Sequence, residues 1–126
     1  MKYLCLAYED EAVFESMPRA QWDALRAETL AYVASLRESG HLISAEPLQS
    51  ARTAVTVRVR DRRVATTDGP FAETKEQLGG FFLIEARDLN EAIQVAAKWP
   101  GARIGTIEVR PLEAGLPEET RYRPPS

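Results

Sequence analysis

The sequence predicts one α+β domain. Two strand-like segments, 2–8 and 81–86, are apolar on both faces. Two other segments carry a stripe of apolar residues at helical spacing, and residues 54–66 alternate strictly around a central turn. Taken in order, the elements read β-α-β, hairpin, β-α-β, which is a ferredoxin-like βαββαβ plan with an inserted β-hairpin. Nothing in the 126 residues marks a second domain boundary.

The first strand, at residues 2–8, is predicted to be central because its alternation leaves apolar side chains on both faces. The charged residues that follow end it, and residues 9–17 are expected to form a loop with one helical turn. A helix is predicted at about 18–39, since Pro18 suits a first helical turn and Gly40 suits the end. Its apolar stripe consists of Trp22, Leu25, Thr29, Tyr32, Val33 and Leu36.

Residues 41–45 are predicted as the second strand, closed by Glu46-Pro47. The hairpin follows, with valines on one face of 54–60, a turn at Asp61-Arg62, and a return strand at 63–66. Its other face is polar and is expected to be solvated. Its arginines do not alternate with aromatic residues, so the hairpin lacks the pattern of a nucleic-acid-binding surface.

The second half of the chain is predicted to contain a strand at 81–86, a helix at about 89–98 and a last strand at 103–110. Asp88 and Glu91 have the spacing of a variant capping box at the start of that helix. The folded domain is expected to occupy residues 1–112. A Pro-rich C-terminal tail, predicted to be flexible or draped over a neighbour, takes residues 113–126.

Two helices can cover only one face of the predicted sheet. Because the first strand and residues 81–84 are apolar on both faces, the second face requires another cover. A symmetric partner chain is the simplest cover, so the sequence predicts a homodimer.

Composition narrows the classes of function. A net charge of −3 and a pI near 5.3 provide no overall attraction to nucleic acid. No apolar run approaches the ~20 residues of a membrane helix, and the N-terminus has no signal-peptide pattern. The single cysteine, Cys5, lies in an apolar strand and is expected to be a buried, reduced thiol in the cytoplasm. His41 is the only histidine and is predicted to be a helix-end or surface residue, so no metal site and no cofactor are expected.

The stretch from Thr66 to Ile84 joins a turn, a group of ionisable residues and the most apolar run of the chain. Gly69 precedes a proline and lacks a Cβ, which allows unusual backbone angles. Pro70 removes the N–H that the Asp68 carboxylate would otherwise accept from, and Phe71 is predicted to be the apolar anchor of the loop. Two interpretations remain open: a turn followed by solvated charges, or polar groups held rigidly at a site.

The same stretch, Asp-Gly-Pro-Phe-Ala-Glu-Thr-Lys-Glu-Gln-Leu-Gly-Gly-Phe-Phe-Leu-Ile, resembles the signature of the DGPF-domain proteins, a branch of the YCII-related family. The resemblance extends to Met1-Lys2-Tyr3, to Ser39-Gly40-His41-Leu42 with Glu46-Pro47-Leu48, and to Ile107-Glu108-Val109-Arg110-Pro111. It implies a small bacterial protein with a ferredoxin-like fold that forms a dimeric α+β barrel. It also implies a link to extracytoplasmic-function sigma factors, beside which many such proteins are encoded.

Some members of the wider superfamily have a proposed His–Asp catalytic pair, and one branch eliminates chloride from a chlorinated hydroxyquinol. The His of that pair follows a proline early in the first helix, and the Asp precedes a proline after the second. The local counterparts here, around Pro18 to Gln21 and at Trp99-Pro100, offer neither residue. The pair is therefore not carried over, and this lyase chemistry is not predicted.

Two classes of function remain. The first is a non-catalytic binding or regulatory module whose dimer cleft holds a small molecule or a protein partner. The second is a cofactor-free enzyme, lyase- or isomerase-like, that uses carboxylates for acid–base chemistry. The candidate acid–base groups are Asp68, Glu73 and Glu108. The candidate ligand-binding residues are Asp68, Lys75, Glu76 and Arg110, and Arg110 could instead pair with Glu108 or Glu46 and join two subunits. The side chains expected on the sheet face away from the helices are Tyr8, Glu46, Thr106, Glu108 and Arg110.

Overall fold

A computed structural model describes residues 1–113. Its strands and helices are β1 (Lys2–Glu9), α1 (Glu11–Glu15), α2 (Arg19–Glu38), β2 (Leu42–Pro47), β3 (Val55–Arg60), β4 (Arg63–Asp68), β5 (Gln77–Glu85), α3 (Leu89–Ala97) and β6 (Thr106–Pro111), with 3₁₀ turns at Ala51–Thr53 and Pro100–Arg103. The predicted α+β class is confirmed. All but the first residue of the predicted C-terminal tail lies outside the described residues.

The main sheet has the strand order β2-β5-β1-β6, and every neighbouring pair is antiparallel. Each β-α-β unit therefore skips one strand, an arrangement compatible with a ferredoxin-like fold. Strands β3 and β4 form a separate two-stranded sheet, which confirms the inserted hairpin. Its turn residues Asp61 and Arg62 both have positive φ, 50° and 64°, as the tightest hairpin turns require.

The helix boundaries follow from local chemistry. Asp10 caps α1 by accepting a hydrogen bond from Ala12 N at 3.0 Å, so the one helical turn expected in this loop is present. Helix α2 ends before Gly40, whose φ of +80° suits a residue without a Cβ. The Asp88 carboxylate accepts from Glu91 N at 2.9 Å, and the Glu91 carboxylate accepts in turn from Arg87 N at 3.1 Å. The predicted cap of the last helix is confirmed.

The register of the strands assigns each side chain to a face of the main sheet. Cys5 lies between Phe82 on β5 and Val109 on β6, on the face covered by the helices. The core on that face consists of Tyr3, Cys5, Leu36, Phe82, Ile84, Ala86, Ala92, Val95 and Ala96. Cys5 is fully buried, as predicted, and burial raises the pKa of its thiol to about 12.

Several strand boundaries differ from the prediction: β2 continues through Glu46 and Pro47, which were expected to close it, and two strands begin three or four residues from their predicted starts. Strand β5 begins at Gln77 rather than at residue 81, so Gly79 and Gly80 lie inside the strand instead of leading into it. Gly80 pairs with Ala7 on β1 and Pro47 on β2, while Gly79 lies at the register shift opposite Ala7 and Tyr8 and accepts from Leu48 N at 2.8 Å. Close backbone packing outweighs the low strand propensity of glycine there. Strand β6 begins at Thr106 rather than at residue 103, because buried Pro100 starts a 3₁₀ turn that continues to Arg103.

The hairpin stands apart from the core. Val55, Val57, Val59 and Val64 are all exposed within the single chain, so its apolar face is as open to solvent as its polar face. An isolated two-stranded hairpin is marginally stable in water, which makes its attachment to the rest of the domain important. Among residues 1–113, no helix is both long enough and apolar enough to span a membrane.

Candidate functional site

The loop between β4 and β5 begins with a turn that is tied to β3. Gly69 has a φ of +100°, as the lack of a Cβ allows. Its N–H donates to Ala54 O at 2.7 Å, and its carbonyl accepts from Thr56 Oγ1 at 2.9 Å. The backbone beside Asp68 is therefore held from two directions.

The rest of this loop is held by its own side chains. Thr74 Oγ1 donates to Glu76 O at 2.6 Å, and Gln77 Nε2 donates to the carbonyls of Ala72 at 3.0 Å and Thr74 at 3.1 Å. Phe71, which the sequence predicted to be the apolar anchor, is 81% exposed, so that prediction is wrong. Hydrogen bonds of Gly69 and Gln77 fix the loop instead, and the phenyl ring is left in solvent.

An open pocket of about 410 Å³ brings three of the candidate site residues together. Asp68, Glu73 and Lys75 line it, opposite residues at the start of α1 and in the first 3₁₀ turn. We call this the loop pocket. The described residues that line it are Asp10, Glu11, Ala51, Arg52, Asp68, Gly69, Pro70, Glu73, Thr74, Lys75 and Gln77. Glu76, also a candidate, is partly buried next to the pocket but does not line it.

The charged groups of the loop pocket fall into two sets. Glu11 accepts from Ala51 N at 2.8 Å and from Ser50 Oγ at 2.9 Å, and these two hydrogen bonds lower the pKa of its carboxyl. Arg52 pairs with Glu15 at 2.6 Å. Within residues 1–113, by contrast, the side chains of Asp68, Glu73 and Lys75 make no hydrogen bond or ion pair. Glu11 and Arg52 therefore fix one wall of the loop pocket through their own partners. Asp68, Glu73 and Lys75 are available to a ligand.

Glu108 and Arg110 lie on a different surface. They pair in register with Leu6 and Leu4 of β1, on the sheet face away from the helices. Tyr8 lies on the same face and donates to Glu108 Oε1 at 3.4 Å. The predicted set of polar side chains on this face is thus confirmed by register, while Glu108 and Arg110 take no part in the loop pocket. The role of Asp68 and Glu108 as acid–base groups stays a prediction.

A second cavity, which the sequence did not predict, lies between α2 and the helix side of the sheet. It has a volume of about 440 Å³, and we call it the helix cleft. Its lining is Ala7, Glu9, Phe14, Trp22, Leu25, Arg26, Thr29, Leu30, Val33, Arg37, Ala45, Glu46, Pro47, Leu48, Gly79, Gly80, Phe81, Trp99 and Gly101. Most of these residues are apolar, as in typical small-molecule sites.

Small residues from three strands make the floor of the helix cleft. Ala7 pairs with Gly80 on β5, and Ala45 lies two positions from Pro47, the partner of Gly80 on β2, and so on the same face. A Cβ at Gly80 would lie 2.9 Å from Glu46 O, and a Cβ at Gly79 would collide with the Glu9 carboxylate. The Gly-Gly pair of the central motif therefore makes room for a carboxylate and a cavity. It was the one sequence signal that could have revealed this site.

Glu9 is the titratable group on that floor. Partial burial, and secondarily the negative charge of Glu11, raises the pKa of its carboxyl. Among the described residues no side chain or backbone N–H donates to it. Arg26 also lines the cleft, but its guanidinium lies over the Trp22 ring, 5.6 Å from the ring centroid.

His41 has a structural role at the end of α2. Its ring nitrogens lie 2.7 Å from Ser39 Oγ and 3.3 Å from Glu91 Oε1. The prediction of a helix-end residue is confirmed. In the part of the chain that the structure describes, no group of three His, Cys, Asp or Glu side chains is arranged to hold a metal ion.

Comparison with known proteins gives two findings. The family model described as "YCII-related domain" matches residues 1–114. An uncharacterised protein of Rhizobium meliloti (strain 1021) is 36% identical over 121 residues, which cover 94% of this chain and 98% of the relative. The chain is thus similar along nearly its whole length to a protein whose name assigns it no activity.

Proposed function

The chain belongs to the YCII-related domain family, and from its geometry we propose that it is a homodimeric module that binds a small polar molecule in the loop pocket. The observation that carries this proposal is a set of three charged side chains, Asp68, Glu73 and Lys75, that have no partner within residues 1–113 and lie on a segment that hydrogen bonds hold in place. Charges of both signs suit a ligand that carries both a donor group and an anionic or carbonyl group.

Binding is favoured over catalysis by what the pocket contains. As far as residues 1–113 show, its lining includes no serine, cysteine or histidine that could act as a nucleophile or as a general base near neutral pH. Resemblance to the DGPF branch supports a regulatory role beside an extracytoplasmic-function sigma factor. The single buried thiol, which cannot form an internal disulfide, supports a cytoplasmic location.

The open face of the main sheet supports the homodimer. Leu4, Leu6, Phe81 and Leu83 lie side by side on this face of the two central strands and are only partly buried within one chain. Burial of such a face against a second copy would remove the apolar area from water and close two sheets into the barrel that the family resemblance implies.

The charges at the edges of the same face favour one arrangement of the two copies. Glu46 lies on edge strand β2 and Arg110 on edge strand β6, and neither has an ion-pair partner within residues 1–113. A two-fold axis parallel to the strands places β2 of one copy over β6 of the other. Across the sheet Glu46 is level with Glu108 and two residues along the strand from the level of Arg110, so the long side chain of the partner's Arg110 would reach Glu46 at both edges and make the interface self-complementary.

Light scattering tests the dimer. We expect twice the chain mass of 14.1 kDa at micromolar concentration. Glu46→Arg and Arg110→Glu should each weaken the dimer through like-charge contacts, and the double variant should restore it. A strict monomer would overturn the dimer, and two single variants with unchanged assembly would overturn the proposed axis.

Ligand-induced stabilisation tests the loop pocket. We expect members of a library of small carboxylic and aromatic compounds to raise the melting temperature of the parent chain and to lose that effect in Asp68→Asn. The substitution keeps one acceptor oxygen, so stability should change by no more than about 1 kcal/mol. Asp61→Asn, at the exposed tip of the hairpin, is the matched control and should respond like the parent. An equal response in Asp68→Asn would reject the loop pocket.

The Tyr8–Glu108 contact favours a second candidate function. Covered by a partner chain, this phenol–carboxyl pair would be a proton donor and acceptor in a half-buried cleft, as cofactor-free acid–base catalysis requires. Asp68 and Glu73 would serve as further acid–base groups only if the dimer brings the loop close. Under this alternative, Tyr8→Phe and Glu108→Gln would abolish turnover of a compound that still binds, whereas a binding module shows no turnover to lose.

A further inference from the structure

We propose that the helix cleft is a second binding site, specific for small hydrophobic amines whose ring system lies between α2 and the sheet and whose ammonium group pairs with Glu9. This site is separate from the loop pocket, and none of the described residues lines both. The inference therefore does not depend on the function proposed above.

The size and lining of the helix cleft define the body of the ligand. Its volume of about 440 Å³ lies within the range of about 300–1,000 Å³ that is typical of small-molecule sites. Trp22 and Leu25 on α2, Phe14 on α1 and Trp99 form apolar walls, and beside Glu9 the floor is made of small residues. A flat ring system of one or two rings fits between such walls and such a floor.

The charge at the floor defines the polar group of the ligand. Glu9 is partly buried and has no hydrogen-bond or ion-pair partner among the described residues, so its negative charge is poorly compensated. An ammonium group placed there would supply the missing partner and would also lie near aromatic rings, which attract cations. A carboxylate would instead add a negative charge close to Glu9 and Glu11.

The arginines of the cleft do not reverse this preference. The Arg26 guanidinium lies over Trp22, on the outer wall, and Arg37 is exposed near the other end of α2. Neither forms an ion pair with Glu9 within residues 1–113. The Glu9 carboxylate lies where a Cβ at Gly79 would collide with it, so the backbone itself is shaped around this acid.

Isothermal titration calorimetry of the full chain tests the proposal with three compounds that share one ring system. Tryptamine carries an amine, tryptophol a hydroxyl and indole-3-acetate a carboxylate. We expect tryptamine to bind at least about tenfold more tightly than tryptophol, because charge-assisted hydrogen bonds are about twice as strong as neutral ones. Indole-3-acetate should bind most weakly of the three.

Two substitutions and one control complete the test. Glu9→Gln should remove the preference for the amine while leaving tryptophol affinity within about twofold, because the shape of the cleft is kept. Ala7→Leu should weaken all three compounds by filling the floor. Glu38→Gln, an exposed acid on α2 outside the cleft, should bind like the parent. Equal affinity for the three compounds, no binding of any at millimolar concentration, or an unchanged amine preference in Glu9→Gln would each overturn the proposal.

Discussion

The interface between the helices and the sheet is filled at one end and hollow at the other. At the filled end, Tyr3, Cys5, Phe82 and Ile84 project from β1 and β5 and are fully or almost fully buried. At the hollow end of the same strands lie Ala7, Gly79 and Gly80, which have a methyl group or no side chain. A cavity of about 440 Å³ lies above them. Helix α2 spans both ends.

The difference shows that side-chain volume, rather than the backbone, decides which part of this interface is core and which is a cavity. Trp99 stands between the two ends. Its ring stacks on Phe82 with centroids 4.0 Å apart and planes at 11°, while its outer side lines the helix cleft. Tyr32 meets the same ring edge-on at 6.2 Å and donates to Val95 O at 2.7 Å, which ties α2 to α3.

The largest expected effect is at the filled end. Phe82→Ala should lower the free energy of unfolding by about 3–5 kcal/mol, because it opens a cavity in the core and removes the partner on which Trp99 stacks. Urea unfolding followed by tryptophan fluorescence measures this directly. Phe81→Ala, the neighbour on the open face, is the matched comparison and should cost less within one chain. Two nearly neutral substitutions would mean that β5 does not form the centre of the core.

The second prediction contrasts added volume at the two ends. Ala92→Leu, at a fully buried position of α3, should destabilise the protein by about 1–3 kcal/mol through overpacking. Ala7→Leu adds the same atoms over the hollow floor and should change stability by less than about 0.5 kcal/mol, since the cavity can accept them. Paired urea melts give both values. Similar costs at the two positions would show that the helix cleft closes in solution.

The third prediction concerns the acid at the hollow end. Glu9→Gln should raise the melting temperature at pH 7, because it replaces a poorly compensated charge by a neutral group of the same shape. The gain should be below about 1 kcal/mol, since water still reaches this side chain and screens the charge. A drop in stability would instead indicate that the ionised carboxyl has a stabilising partner in the native protein.

Alternation of apolar residues was enough to predict the α+β class, the two-sided central strands, the burial of Cys5 and the face of Glu108. It could not predict the helix cleft, because the floor combines small residues from strands that are distant in the chain, and no local period records an unfilled volume. The prediction for Phe71 was wrong for a related reason. An aromatic residue in a loop is buried only if tertiary packing supplies a surface for it, and this loop is held by hydrogen bonds without such a surface. The grouping of Asp68, Glu73 and Lys75 could be predicted because they belong to a single loop.

The smallest expected effect compares the two acids that flank this interface. At the filled end, the hydrogen bond that Glu91 accepts from Arg87 N lowers the pKa of its carboxyl, and the Arg87 and His41 side chains beside it lower that pKa further. Its stabilising contribution is therefore present above its unfolded-state pKa and is lost as the pH falls through the lower folded-state pKa. The contribution of Glu9 depends on pH in the opposite direction, because its folded-state pKa is raised. Stability therefore falls as the pH rises from the unfolded-state pKa of Glu9 through that raised value.

Melting curves between about pH 3 and pH 7 should separate these two contributions, because carboxyl groups titrate in that range. Relative to the parent, Glu91→Gln should lose stability at pH 7 and should converge towards it in acid. Glu9→Gln should match the parent in acid, where Glu9 is protonated, and should exceed it as the pH rises. Parallel curves for the parent and both variants would mean that folding does not shift the pKa of either carboxyl.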